Sequence, residues 1–116
     1  MASSKEYLQF ILEQLSGLEE INYRAMMGEY IIYYRGRIAR GIYDDRLLVK
    51  PTKSAVSYMT TAIYELPYEG AKEMLLVENI DSREYLAGLF NAMYDELPVH
   101  KANNKKKSLN NLYTFQ

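Results

Sequence analysis

The stretch EYIIYYRGRIARGIYDDRLLVK, residues 29–50, decides the fold. Three short runs rich in Ile, Val and Tyr are separated by Arg35-Gly36 and Asp44-Asp45, polar breaks of the length a tight hairpin needs. The reading is a three-strand meander. With two-residue turns, Tyr34 pairs with Arg37 and Tyr43 with Arg46. Alternation then puts Glu29, Ile31, Tyr33, Ile38, Arg40, Ile42, Leu47 and Val49 on one face. Tyr30, Ile32, Tyr34, Arg37, Ala39, Gly41, Tyr43, Arg46, Leu48 and Lys50 fall on the other. The first set is the more apolar and is assigned to the core, with Arg40 in reach of a cross-strand ion pair to Glu29. The second, mixing tyrosines with cations, is predicted to be partly exposed. A bulge would exchange the faces.

Before the meander, Ser3 and Glu6 form a capping-box pattern, and Leu8, Ile11, Leu12 and Leu15 recur at helical spacing up to Gly17. After it, Pro51 ends the third strand and Thr52 caps a short helix carrying Ala55, Val56 and Met59. Residues 64–72, with Pro67 and Gly70, read as loop. EMLLVE (73–78) reads as a fourth strand, apolar on both faces and therefore internal or covered. Asp81 and Glu84 open a second long helix through Leu86, Leu89, Phe90, Met93 and Leu97, ended by Pro98. The order α-β-β-β-α-β-α clusters the strands, which predicts an α+β fold: an antiparallel sheet of about four strands, two long helices and one short one in two layers. The domain is placed at residues 1–98, with a polar, flexible, lysine-containing tail at 99–116.

The 116 residues hold no Cys and one His, which excludes disulfides, thiolate metal sites and cysteine nucleophiles. No stretch approaches a membrane span, and a cytoplasmic location is expected. Residues 1–96 carry 10 basic and 15 acidic side chains, a net −5, whereas Lys101, Lys105, Lys106 and Lys107 make the remainder +4. Such a body is a poor long-range platform for nucleic acid. Twelve Tyr against three Phe and no Trp suggest half-buried sheet positions or an interface.

Motifs for chemistry are missing. His100 has no second ligand or triad partner, and the sequence lacks GxSxG, GxxxxGKS and GxGxxG. The acid pairs Glu19-Glu20, Asp44-Asp45 and Asp95-Glu96 are adjacent residues whose side chains diverge, which suits capping and solvation. No cofactor, metal or catalytic residue is expected. Three binding candidates stand beside ordinary packing explanations. Tyr30, Tyr34, Arg37, Tyr43, Arg46 and Lys50 are a candidate interface, since Tyr and Arg dominate interface energies. The tail lysines are a candidate nucleic-acid contact, though such runs usually serve solubility. Met26-Met27-Gly28 could line an adaptable groove, though paired Met is more often core filler.

The run Tyr23-Arg24-Ala25-Met26-Met27-Gly28-Glu29-Tyr30, with Tyr34, Gly36, Asp44 and Val49-Lys50-Pro51-Thr52, resembles the TfoX N-terminal-domain family. So do Pro67-Tyr68-Glu69-Gly70-Ala71-Lys72, Met74, Leu76-Val77-Glu78 and Asp81-Ser82-Arg83-Glu84. The likeness spans about residues 3–98 and is to short members without the family's helical C-terminal domain. It implies an α+β fold with helices on one side of an antiparallel sheet, no catalytic residues, and a role near competence and transcription regulation alongside a partner protein. Its signature positions here are Arg24, Met26, Met27, Gly28, Glu29, Tyr30, Gly36, Lys50 and Pro51. Arg24, Glu29 and Lys50 are the ones without an evident packing reason, and a ligand pocket around them is a further expectation. The leading expectation is a non-enzymatic interaction module binding a protein partner or itself. The alternatives are a nucleic-acid-associated regulator using the tail and a small-ligand sensor.

Overall fold

The computed structural model describes residues 3–99. The expected tail lysines and His100 lie outside them. Helix α1 (Lys5–Gln14) is followed by β1 (Ile21–Met26), β2 (Glu29–Tyr34), β3 (Arg37–Ile42) and β4 (Leu47–Val49). Helix α2 (Lys53–Tyr58), β5 (Tyr64–Glu65), β6 (Met74–Leu76) and α3 (Arg83–Met93) complete the order, with a 3-10 turn over Tyr94–Glu96. The fold is α+β, and the strands form one antiparallel sheet ordered β1-β2-β3-β4-β6-β5.

All three hairpins in the first half turn on two residues with positive φ: Met27-Gly28 (53°, 86°), Arg35-Gly36 (52°, 83°) and Asp44-Asp45 (54°, 54°). Paired left-handed residues twist the turn the way the strands twist, and Gly at the second position removes the Cβ penalty. Tyr34 pairs with Arg37 as predicted, and Tyr43 and Arg46 exchange backbone hydrogen bonds of 2.9 and 3.1 Å. The strand at 73–78 is internal, between β4 and β5. Thr52 caps α2, its hydroxyl accepting from the Ala55 amide at 3.1 Å. The long helices start one residue later than the capping boxes suggested. Ser4 and Ser82, rather than Ser3 and Asp81, accept from the Tyr7 and Tyr85 amides.

Two strands are additional to the predicted four. Sheet-edge strand β1 exposes five of its six side chains, so it carries no apolar alternation to read. Strand β5 is two residues long.

The face assignment is corrected by a bulge in the middle of β3. Tyr33 pairs with Ile38 but Ile32 pairs with Arg40, leaving Ala39 as the extra residue. Tyr30 therefore lies opposite Ile42 rather than Gly41. Past the bulge, Ile42, Leu47 and Val49 face the helices as expected. Ahead of it the faces are exchanged: Tyr30, Ile32 and Tyr34 enter the helix-side core. They pack there with Leu8, Ile11 and Leu15 of the N-terminal helix region and with Leu86, Leu89, Phe90 and Met93 of α3. The α3 residues follow i, i+3, i+4, i+7 spacing, and each such fully buried side chain contributes about 1.5–3 kcal/mol.

Candidate functional site

The sheet face turned away from the helices has its own small apolar cluster of Tyr43, Leu48 and Met74, joined by Leu76. Strand alternation adds Ile31 of β2, opposite Gly41 of β3 and Arg24 of β1. The loop over residues 66–73 brings Tyr68 against Tyr43, with ring centroids 6.3 Å apart.

Between these parts lies a groove of about 440 Å³ lined by Met26, Met27, Glu29, Ile31, Tyr43 and Tyr68. Met27 sits at the hairpin tip and is 97% exposed; Met26 is 44% exposed. Two flexible thioether side chains thus stand at the rim of a mostly apolar hollow with tyrosine in its wall. The expected Met26-Met27 groove is brought together. Tyr68, which completes it, was missed because it arrives from a loop some forty residues along the chain. The doublet Met27-Gly28, of the same form as Arg35-Gly36, is the signal that could have revealed the hairpin behind the groove.

Glu29, at the groove's end, is held by the chain start. The Ser3 hydroxyl donates to its Oε1 at 2.6 Å, and the Asp44 amide donates to the same oxygen at 3.1 Å. The Asp45 amide donates to the Ser3 oxygen at 3.1 Å, and the Ser3 amide donates to the Gly28 carbonyl at 2.9 Å. Glu29 therefore knots two hairpin turns to the entry of α1, which is a packing reason for a signature residue. It forms no ion pair with Arg40, contrary to expectation.

Most of the predicted tyrosine–cation interface is occupied by the fold itself. Tyr30, Tyr34 and Tyr43 are 9%, 3% and 4% exposed. The Tyr34 hydroxyl donates to Asn91 Oδ1 at 2.5 Å, and its ring meets those of Phe90 and Tyr94 edge-on. Arg37 Nη1 donates to the carbonyls of Tyr94, Asp95 and Leu97 at 3.1, 3.3 and 3.4 Å, closing the end of α3. Arg46 is paired with Glu65 and donates to the carbonyls of Tyr43, Leu66 and Pro67. The bulge explains why Tyr30 and Tyr34 change face, Tyr68 packs against Tyr43, and the orphan carbonyls at element ends explain the engaged guanidinium groups.

Lys50, next to Val49 and so on the face away from the helices, is half-buried. Burial, together with the nearby charges of Arg40 and Lys72, holds its ammonium below the ordinary lysine value of 10.5. Burial pushes the Tyr43 phenol above 10.0, with Arg40 opposing and Tyr68 and Glu29 reinforcing the shift. The expected set Arg24, Glu29 and Lys50 does not converge on one pocket: Glu29 lines the groove, while Lys50 belongs to the cation group around Arg40.

Among the described residues, no group of three His, Cys, Asp or Glu could hold a metal ion, and no helix is long and apolar enough to cross a membrane. No family model matches the chain, and no solved structure matches it. It is similar to an uncharacterized 12.7 kDa protein in the trpE 5′ region of Spirochaeta aurantia. The two are 26% identical over 80 residues, covering 69% of this chain and 70% of that one.

Proposed function

We propose that this protein is a non-enzymatic interaction module, and that its partner is an extended segment of another polypeptide bearing a large apolar side chain. The observation that carries the reading is Met27, almost wholly exposed beside the groove of Met26, Ile31, Tyr43 and Tyr68. Met26, Met27 and Tyr68 are all exposed along its rim and together form the kind of contiguous apolar patch that marks an interaction site. Strand β1 begins the sheet order, so its outer edge is unpaired among the described residues and runs directly into Met26 and Met27. An added strand would gain main-chain hydrogen bonds from that edge while the groove takes an anchoring side chain. The resemblance of residues 23–30 and the later blocks to the TfoX N-terminal-domain family points the same way, toward regulation through a protein partner.

Selection from a displayed peptide library tests this. Enriched peptides should share an apolar anchor and bind the Met27→Glu and Tyr68→Ala variants at least tenfold more weakly. Equal binding to all three forms, or no enrichment, defeats the proposal. A solution mass that doubles with concentration, and reverts in Met27→Glu, would make the partner a second copy.

A further inference from the structure

Near Tyr43 lies a group of cations without a salt-bridge partner among the described residues. We propose that Arg40, Lys50 and Lys72 form a binding site for the phosphate group of a small molecule.

Three observations carry it. First, Arg40 Nε is buried and has no hydrogen-bond partner. A buried charged donor left unmet is costly, and native folds keep few of them. Second, Arg40 stands at the β3 bulge with φ of 139°, a backbone conformation that L side chains rarely adopt. Its ladder partners Ile32 and Val49 point into the helix-side core, and the Arg40 charge bears on Tyr43 and Lys50. The distorted bulge thus breaks regular alternation at Arg40, next to Ala39, whose carbonyl accepts from the Lys50 amide at 3.1 Å; strain of this kind collects at working sites. Third, neither Arg40, Lys50 nor Lys72 joins an ion pair among the described residues. The acid felt at Tyr43 is Glu29, whose Oε1 already accepts from Ser3 and Asp44. Residues 100–116 contain no Asp or Glu.

Three cations around one orphan donor suit a compact dianion, and the guanidinium edge matches two oxygens at once. The net −5 of residues 1–96 disfavours a long polyanion, so the phosphate belongs to a small molecule rather than to a nucleic-acid strand. This site stands independently of the peptide groove, since its residues are not those of the methionine rim.

The experiment is thermal unfolding of the full chain with inorganic phosphate, with phenyl phosphate and with a DNA duplex, at ionic strength held constant by chloride. Either phosphate compound, several-fold above its dissociation constant, should raise the midpoint saturably by about 5 °C. Chloride alone should not. The rise should vanish in Arg40→Gln and in the double variant Lys50→Gln with Lys72→Gln. Lys72 is exposed and Lys50 only half-buried, so that variant decides the matter if Arg40→Gln fails to fold. No saturable rise, or a rise retained in the double variant, overturns the site. Tighter binding of the duplex than of either phosphate compound, lost in the double variant, overturns the small-molecule assignment.

Discussion

Arg46 Nη1 lies 2.5 Å from Glu65 Oε1, and that pair fastens edge strand β5 to the turn between β3 and β4. The same guanidinium serves the carbonyls of Leu66 and Pro67, at the start of the loop that carries Tyr68 over the groove. The ion pair is partly exposed and by itself contributes little; the carbonyl bonds to a charged donor contribute more. Arg46→Ala should cost about 2 kcal/mol in urea unfolding. It should also loosen Tyr68, seen as faster amide exchange over residues 64–70. Lys in its place keeps the charge without the fork, and should recover less than half. Unchanged exchange in that loop would refute the clamp.

Two glycines should behave differently when a methyl is added. At Gly41 a Cβ would lie 2.1 Å from the Tyr30 carbonyl oxygen and 3.1 Å from Ile31 Cα, both backbone. Neither can yield without breaking the β2–β3 ladder, so Gly41→Ala should cost about 3 kcal/mol or more. At Gly88 the obstruction is the Tyr58 hydroxyl at 2.1 Å, the far end of an exposed side chain. Moving it forfeits one hydrogen bond to the Tyr85 carbonyl, while Ala gains about 0.5–1 kcal/mol of helix preference over Gly. Gly88→Ala should change stability by less than about 1 kcal/mol. Chemical unfolding of both variants is the check, and similar losses would contradict the geometry.

Glu96 links acid to the junction of α2 and α3. Its Oε1 accepts from the Ser54 amide at 3.1 Å and its Oε2 from the Ser54 hydroxyl at 2.8 Å. The backbone bond from Ser54, followed by the hydroxyl bond, holds its folded value below the ordinary 4.5. A depressed carboxylate contributes stability that is fully present above 4.5 and lost as pH falls through the lower folded value. Wild type should therefore lose urea resistance more steeply below pH 4.5 than Glu96→Gln does. Parallel profiles for the two proteins would disprove the linkage.

Lys50 carries the opposite sign. Its lowered value means that the fold disfavours its charge, a cost present while the ammonium is protonated and relieved as pH rises through the folded value. In urea unfolding at pH 7, Lys50→Met should be more stable than wild type, by a margin that solvent screening keeps small. The advantage should disappear above pH 10.5. A destabilised Lys50→Met at neutral pH would show that the lysine serves packing instead.

What could be read from the sequence was local. The turns at Arg35-Gly36 and Asp44-Asp45, the Thr52 cap and the α3 stripe each rest on a few neighbouring residues, and each is present. Strand β1 was hidden because an exposed edge strand needs no apolar period. The far side of the groove was hidden because Tyr68 meets Tyr43 only after the chain has passed through three further elements, β4, α2 and β5. The choice of face was lost to Ala39. A bulge leaves no mark in an alternating pattern when both faces of the strand are largely apolar.

That one surplus residue also changes what evolution can do with this strand. Side chains on β3 can be exchanged singly, each for its own local cost. Removing Ala39 would keep Tyr34 opposite Arg37 and Tyr30 opposite Ile42 but restore strict alternation, which puts the Arg40 side chain on the same side as Ile32 and Ile42, against the helix-side core. Length at this point is therefore held more tightly than identity, and a deletion here would be harsher than any replacement of the same amino acid.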